Sequence, residues 1–192
     1  MRRLIAFCCL LLLGAAGYGQ KAEKQPATFG INFLFQDFAS AAAIRASSIS
    51  TAIRNRQFAQ IEKMSPGLAL TYTKGLSPRF NIATTVSGSF LSYPIPQRAP
   101  RRSESFLLET DISIQGKMLN SNFWINPYLQ IGAGASVYSS YWGAYIPAGA
   151  GIQLTLFKEA YLFINSQYRI PVTPTTEFHF YYSLGIAGRV GN

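Results

Sequence analysis

Residues 106–118 read FLLETDISIQGKM, and successive side chains fall into two chemically distinct sets. Phe106, Leu108, Thr110, Ile112, Ile114, Gly116 and Met118 form one set; Leu107, Glu109, Asp111, Ser113, Gln115 and Lys117 form the other. A period of two is the signature of a strand with unlike environments on its faces. The stretch 144–156, AYIPAGAGIQLTL, repeats it: Ala144, Ile146, Ala148, Ala150, Ile152, Leu154 and Leu156 alternate with Tyr145, Pro147, Gly149, Gly151, Gln153 and Thr155. Further on, Leu162, Ile164, Tyr168 and Ile170 alternate with Phe163, Asn165, Gln167 and Arg169. Finally Phe178, Phe180, Tyr182, Leu184, Ile186 and Val190 alternate with His179, Tyr181, Ser183, Ala187 and Arg189.

The same reading along the chain gives eight strands, near 28–39, 63–75, 78–93, 104–119, 122–139, 143–158, 160–171 and 176–190. Connections after the second, fourth and sixth are tight: Lys74–Pro78, Leu119–Asn122 and Phe157–Ala160. Those after the first and third are long, 40–62 and 94–103. Tight turns at one end and longer loops at the other, with both chain ends on the turn side, is the asymmetry of an eight-stranded antiparallel transmembrane β-barrel. Each strand also reaches the roughly 9–11 residues that a tilted strand needs to cross hydrocarbon.

The chemistry of the two faces separates this architecture from a β-sandwich or a soluble lipocalin-like barrel. A water-facing sheet surface carries Lys, Glu and Thr, whereas seven consecutive outward positions of Ala, Ile and Leu suit lipid. The inward set of Gly, Ser, Gln and Asn suits a narrow polar interior. Closure then follows, because an open edge in hydrocarbon leaves backbone groups unpaired. Composition agrees: among 192 residues only 13% are charged, while 14% are aromatic, with 16 Gly, 11 Tyr and 14 Phe. Soluble domains carry about 25% charge. Aromatics are expected as two girdles, with Phe80, Phe123, Trp124, Phe157 and Tyr161 near the tight turns. Phe90, Tyr93, Phe106, Tyr141, Trp142 and Phe178 form the girdle at the opposite end.

Arg2 and Arg3, the apolar run Leu4–Ala16 and the small residues before Gln20 read as a secretory signal peptide covering 1–19. Residues 20–27 are then a short periplasmic segment, and 28–192 the barrel domain. Cys8 and Cys9 leave with the signal, which excludes disulfides and thiol catalysis, and loss of Arg2 and Arg3 takes two off the formal charge of +9.

The stretch 65–90, SPGLALTYTKGLSPRFNIATTVSGSF, with the signal ending Gly19-Gln20 and the regular hairpins, resembles the small outer-membrane β-barrel proteins of Bacteroidetes. These belong to the superfamily of OmpA-like transmembrane domains and PorT-like proteins. The resemblance covers the mature chain and implies an outer-membrane location and insertion by the barrel-assembly machinery. It does not imply one activity. No peptidoglycan-binding domain is expected after the barrel. The last residues, Arg189–Asn192, lack the usual terminal aromatic, which leaves Phe180, Tyr182 and Leu184 for recognition during assembly.

Inventory narrows the function. One histidine, His179, excludes a multi-histidine metal site, and no cofactor motif is present. A hydrolase combining His179 with Asp111 or Glu109 and a serine would need its groups on the lipid-facing side, whereas alternation turns His179 inward. Gly132-x-Gly134 and Gly149-x-Gly151 alternate along strands and read as packing positions rather than as a phosphate loop. Eight strands enclose a space that side chains fill, and Tyr128, Tyr138, Tyr145, Phe163 and Tyr181 point into it. A plugged barrel with a structural or surface-binding role follows; a narrow pore or a PorT-like barrel associated with secretion or assembly is the alternative.

Within the interior, Glu109, Asp111, Arg169 and His179 are expected at one depth as a charge network. Arg169 should pair with Glu109 or Asp111, because an unpaired charge there costs several kcal/mol; separate hydration of each charge is the other possibility. On the loop side, Arg45, Arg54, Arg56, Lys63, Arg98, Arg101 and Arg102 face Glu62, Glu104 and Glu177. Arg98, Arg101 and Arg102 are the candidate contacts for lipopolysaccharide phosphates, against a simply solvated basic loop. Outer-membrane lipid and lipopolysaccharide are the expected partners, and nucleic acid is not.

Overall fold

A computed structural model describes residues 24–92, 94, 105–119, 123–156 and 160–190. Residues 1–19, expected from the sequence to be a signal peptide, and Arg98, Arg101 and Arg102 lie outside the described residues. Eight strands, β1 (Thr28–Asp37), β2 (Ser65–Gly75), β3 (Phe80–Leu91), β4 (Ser105–Lys117), β5 (Ile125–Tyr138), β6 (Tyr141–Leu156), β7 (Ala160–Pro171) and β8 (His179–Arg189), pair antiparallel in chain order. Pairing of β1 with β8, from Thr28↔Arg189 to Asp37↔Phe180, closes the barrel.

Alternation does the folding work. In β4 the odd positions from Leu107 to Lys117 are buried and the even ones from Phe106 to Ile114 exposed. Along the eight strands the outward positions carry no charge except Lys74, next to a turn, and Asp37, which is buried as a helix cap. Ile31, Phe33, Leu68, Ile112, Leu129, Ile131, Leu184 and Ile186 all lie on this wall with more than half their surface uncovered.

Strand ends shift where local hydrogen bonding competes with the ladder. β1 stops at Asp37 because its Oδ1 accepts the Ser40 amide at 2.8 Å and caps helix α1 (Phe38–Ala46), so 38–39 are helical rather than extended. Ser48 caps a second helix, α2 (Ile49–Arg54), through the Thr51 amide. A 3₁₀ turn over Ile61–Lys63 delays β2 to Ser65. The long first loop is therefore largely helical.

Ser77 Oγ accepts the Phe80 amide at 3.1 Å, and the Phe80 carbonyl accepts from Leu76 and Ser77, which starts β3 at Phe80. Thr173 and Thr176 hydroxyls lie 3.0 Å apart in the turn that postpones β8 to His179. Ser139, with φ 55°, makes the two-residue turn from β5 to β6.

Two tyrosines fill the interior because the residue opposite each is glycine. Tyr145 pairs with Gly134 and Tyr128 with Gly151. A Cβ on either glycine would stand 2.4 Å from the tyrosine Cζ. Tyr161, expected in the turn-side girdle, instead points inward and is buried. Its position in β7 shares the parity of Phe163 and Arg169, and parity overrides any aromatic preference for the rim. Phe80 and Trp124 do sit exposed at that end, and Phe90, Phe106 and Trp142 at the other.

Candidate functional site

The interior is lined mainly by polar side chains, with a small apolar cluster of Leu34, Ala69 and Tyr181, and has a lid at each end. β7 and β8 pair Arg169 with His179 in register, and β4 supplies Glu109 and Asp111 two residues apart. The structure brings all four together. Arg169 Nη1 donates to Glu109 Oε2, Nη2 to Asp111 Oδ2 at 3.3 Å and Nε to Gln167 Oε1 at 3.4 Å. The guanidinium lies 3.9 Å from the Tyr181 ring centroid and 4.8 Å from that of Tyr145, so its flat faces meet aromatic rings while its edges meet acids. Arg169, Glu109 and His179 are fully buried.

His179 has two unlike neighbours. Its Nδ1 lies 3.0 Å from the Glu177 carbonyl, so that nitrogen donates; its Nε2 faces Glu109 Oε1 at 3.3 Å. That second approach attracts only when Nε2 also carries a proton. Gln36 Nε2 donates to Glu109 Oε2 at 2.7 Å, giving one carboxylate oxygen two donors. Phe38, the first residue of α1, stacks on the His179 ring at 4.5 Å between centroids. Leu91, Leu107 and Tyr138 pack beside Phe38 and complete an apolar lid over the charges.

Below the cluster, side-chain amides and hydroxyls cross the space between strands. Gln115 donates to Gln130 and Gln130 to Asn165 at 3.3 and 2.9 Å; Asn32 donates to Thr71 at 2.9 Å. The cavity they share with Tyr128 and Tyr181 is only about 20 Å³, enough for roughly one water. At the turn end the chain's own N-terminal segment enters. Gln25 Oε1 accepts from Asn81 Nδ2 at 2.8 Å and from Lys117 Nζ. The Gln25 carbonyl accepts the Gly75 amide at 3.2 Å, and that of Ala27 the Val190 amide at 2.8 Å.

Gln25 and Phe38 escape a reading by strand pattern, since Gln25 lies before the first strand and Phe38 belongs to a helix; Gln36 carried a signal, as an inward position of β1. Lys117 carried a signal: it occupies an inward position of β4 at the far end from Glu109. Of the loop bases, Arg45 pairs with Glu177 at 2.5 Å and covers the Phe178 ring at 4.1 Å. Arg54, Arg56 and Lys63 are exposed.

No protein-family model matches this chain, and no curated protein matches it in sequence. Solved structures do match in shape. Neisserial surface protein A aligns at 9% identity with a TM-score of 0.57, covering 88% of this chain and 99% of its own. The outer membrane protein OprG from Pseudomonas aeruginosa aligns at 10% identity and TM-score 0.56, with the same coverages. Ail, the attachment invasion locus protein of Yersinia pestis, in complex with the heparin analogue sucrose octasulfate, gives 10% and 0.53, covering 88% and 100%. The likeness is one of fold. The chain is a closed eight-stranded antiparallel barrel of the outer-membrane kind.

Proposed function

We propose that this protein sits in the outer membrane as a plugged barrel with a structural or surface-binding role and no catalytic chemistry. The observation that carries the reading is the inversion of polarity. The wall is apolar, and the buried groups inside include Glu109, Asp111, Lys117, Arg169 and His179. Water on the outside and hydrocarbon within would produce the opposite arrangement. The interior cavity among the described residues, about 20 Å³, has room for roughly one water, which supports a plug.

The histidine geometry supports a non-catalytic role. A nucleophilic site needs the nucleophile on one ring nitrogen and an orienting group on the other. His179 has a backbone carbonyl at Nδ1, and its Nε2 faces Glu109 Oε1 rather than a serine, so no serine–histidine pair is assembled among the described residues. The surface-binding part rests on the basic loops, Arg54, Arg56 and Lys63 with Arg98, Arg101 and Arg102 beyond the described residues. Ail's polyanionic ligand lends support by analogy, as does outer-membrane residence of the similar structures. The finer placement among Bacteroidetes-type, PorT-like barrels rests on the pattern of residues 65–90, the segment ending Gly19-Gln20 and the regular hairpins.

Fractionation and electrical recording test the reading together. Recovery in outer membranes with heat-modifiable migration on gels, and no steady current across planar bilayers, is expected. Recovery in a soluble periplasmic fraction overturns the membrane reading, and a stable nanosiemens-scale channel overturns the plug. Replacing Arg98, Arg101 and Arg102 with Ser should weaken lipopolysaccharide binding; unchanged binding removes those residues from the surface role.

A further inference from the structure

The first loop is fastened to the outside of the barrel at two points. Arg45, near the end of α1, covers the Phe178 ring at 4.1 Å and pairs with Glu177. Phe58 meets the Phe180 ring edge-on at 5.7 Å. Phe178 and Phe180 share the outward parity of Leu184 and Ile186, and their rings lie 5.8 and 4.8 Å from that of Tyr168, an outward residue of β7. α1 therefore starts over the interior, where Phe38 stacks on His179, and ends beyond the wall. The segment from Arg45 to Phe58, which contains α2, begins and ends on the outer side of β8. Ser40 Oγ accepts the Ala59 amide at 2.8 Å, and the Ala52 carbonyl accepts the Gln57 amide at 2.8 Å, which holds the returning chain against the two helices.

α2 covers one side and leaves the other bare. Ala52 is fully buried, whereas Ile49 and Ile53, four residues apart and so on one face, are each more than half exposed. Arg54 and Arg56 follow, both exposed, and no acid occurs between Asp37 and Glu62. Glu177 is matched by Arg45, and Glu62 stands beside Lys63, so the surplus charge of the loop is that of Arg54 and Arg56. We infer that α2 docks in the headgroup layer of the membrane that the barrel spans, Ile49 and Ile53 entering the edge of the acyl region and Arg54 and Arg56 meeting lipid phosphates. The inference rests on the membrane reading above and deepens its surface-binding part. Position and charge both favour this occupant. Aromatic girdles mark the headgroup level of a barrel wall, and α2 is tethered at both ends to such rings. An apolar helix face flanked by bases is what an interfacial helix presents to anionic lipid.

Fluorescence quenching on the full chain refolded into nanodiscs tests the docking. Ile53→Trp is combined with Trp124→Phe and Trp142→Phe, so that the introduced indole is the one tryptophan present. In discs of phosphatidylcholine with phosphatidylglycerol, a trace of lipid brominated high on its acyl chains should quench that indole, and aqueous acrylamide should reach it poorly. Discs of phosphatidylcholine alone should give weaker bromine quenching. Adding Arg54→Gln should lower the docked-to-undocked ratio in the anionic discs about fivefold, the worth of one base near a lipid surface. Free access of acrylamide in anionic discs, equal bromine quenching in the two lipids, or no response to Arg54→Gln overturns the docking. Hydrogen exchange of the unsubstituted chain gives a second reading without the indole. Amides of residues 49–56 should exchange more slowly in anionic than in neutral discs, and equal rates overturn the proposal. Heat-modifiable migration of each variant, measured alongside, reports the barrel separately, so failed docking is distinguishable from a failed membrane reading.

Discussion

Arg169 on β7 and Glu109 on β4 form an ion pair across the barrel, 60 residues apart in sequence, with both side chains out of contact with solvent. Neither strand neighbours the other, so the pair braces the cylinder from within. Asp111 takes the second edge of the same guanidinium.

Removing one member of such a pair strands the others. Arg169→Met should lower the unfolding free energy by about 3–5 kcal/mol, because Glu109 and Asp111 would stay buried without their cation. Adding Glu109→Gln should recover part of that loss. Urea titration monitored by heat-modifiable migration gives the double-mutant cycle; strictly additive losses would mean that the pair is not coupled.

Lys117 offers a contrast. Among the described residues its Nζ meets a neutral acceptor, Gln25 Oε1, which also receives Asn81 Nδ2. Lys117→Met removes a buried charge and leaves Gln25 Oε1 satisfied, so stability should change by no more than about 1 kcal/mol in either direction. A loss above about 2 kcal/mol in the same titration would give Lys117 a bracing role like that of Arg169.

Gly151 faces a ring it cannot move. A Cβ there would lie 2.4 Å from Tyr128 Cζ and 2.7 Å from the Ile164 carbonyl oxygen, which is backbone. Gly151→Ala should cost about 1–3 kcal/mol through overpacking. Pairing it with Tyr128→Phe leaves the carbonyl contact in place, so only partial recovery is expected in urea.

Ile112 lies near the middle of β4 on the outward face, 54% exposed. Ile112→Lys should destabilise the folded barrel in lipid vesicles by about 2–4 kcal/mol, the penalty for a base near the midplane of a barrel wall. An effect within about 0.5 kcal/mol, the usual size for a water-exposed site, would count against the membrane reading.

Glu177 and Arg45 form the exposed counterpart of the buried pair, the acid a quarter and the base half accessible. Glu177→Gln should change thermal stability by less than about 1 kcal/mol, and added salt should mask the difference. A larger loss would show that the contact of Arg45 with Phe178 depends on the acid to anchor α1 against β8.

The sequence by itself determined the strand count, the inward and outward faces and the place of the tight turns. All three depend on a period of two and on a few turn residues, which are local properties. Alternation also assigned Glu109, Asp111, Arg169 and His179 to the inside. Tertiary structure alone decided which of them meet, since partners on β4 and β7 are set by strand tilt and barrel closure rather than by spacing along the chain. It also decided the two lids. Phe38 covers His179 because Asp37, the last residue of the β1 ladder, caps α1, and Gln25 reaches Lys117 because the segment before β1 folds into the turn end. Neither act leaves a periodic trace in sequence. Tyr161 shows the same limit in reverse: its aromatic character suggested the rim, and the pleat turned it inward.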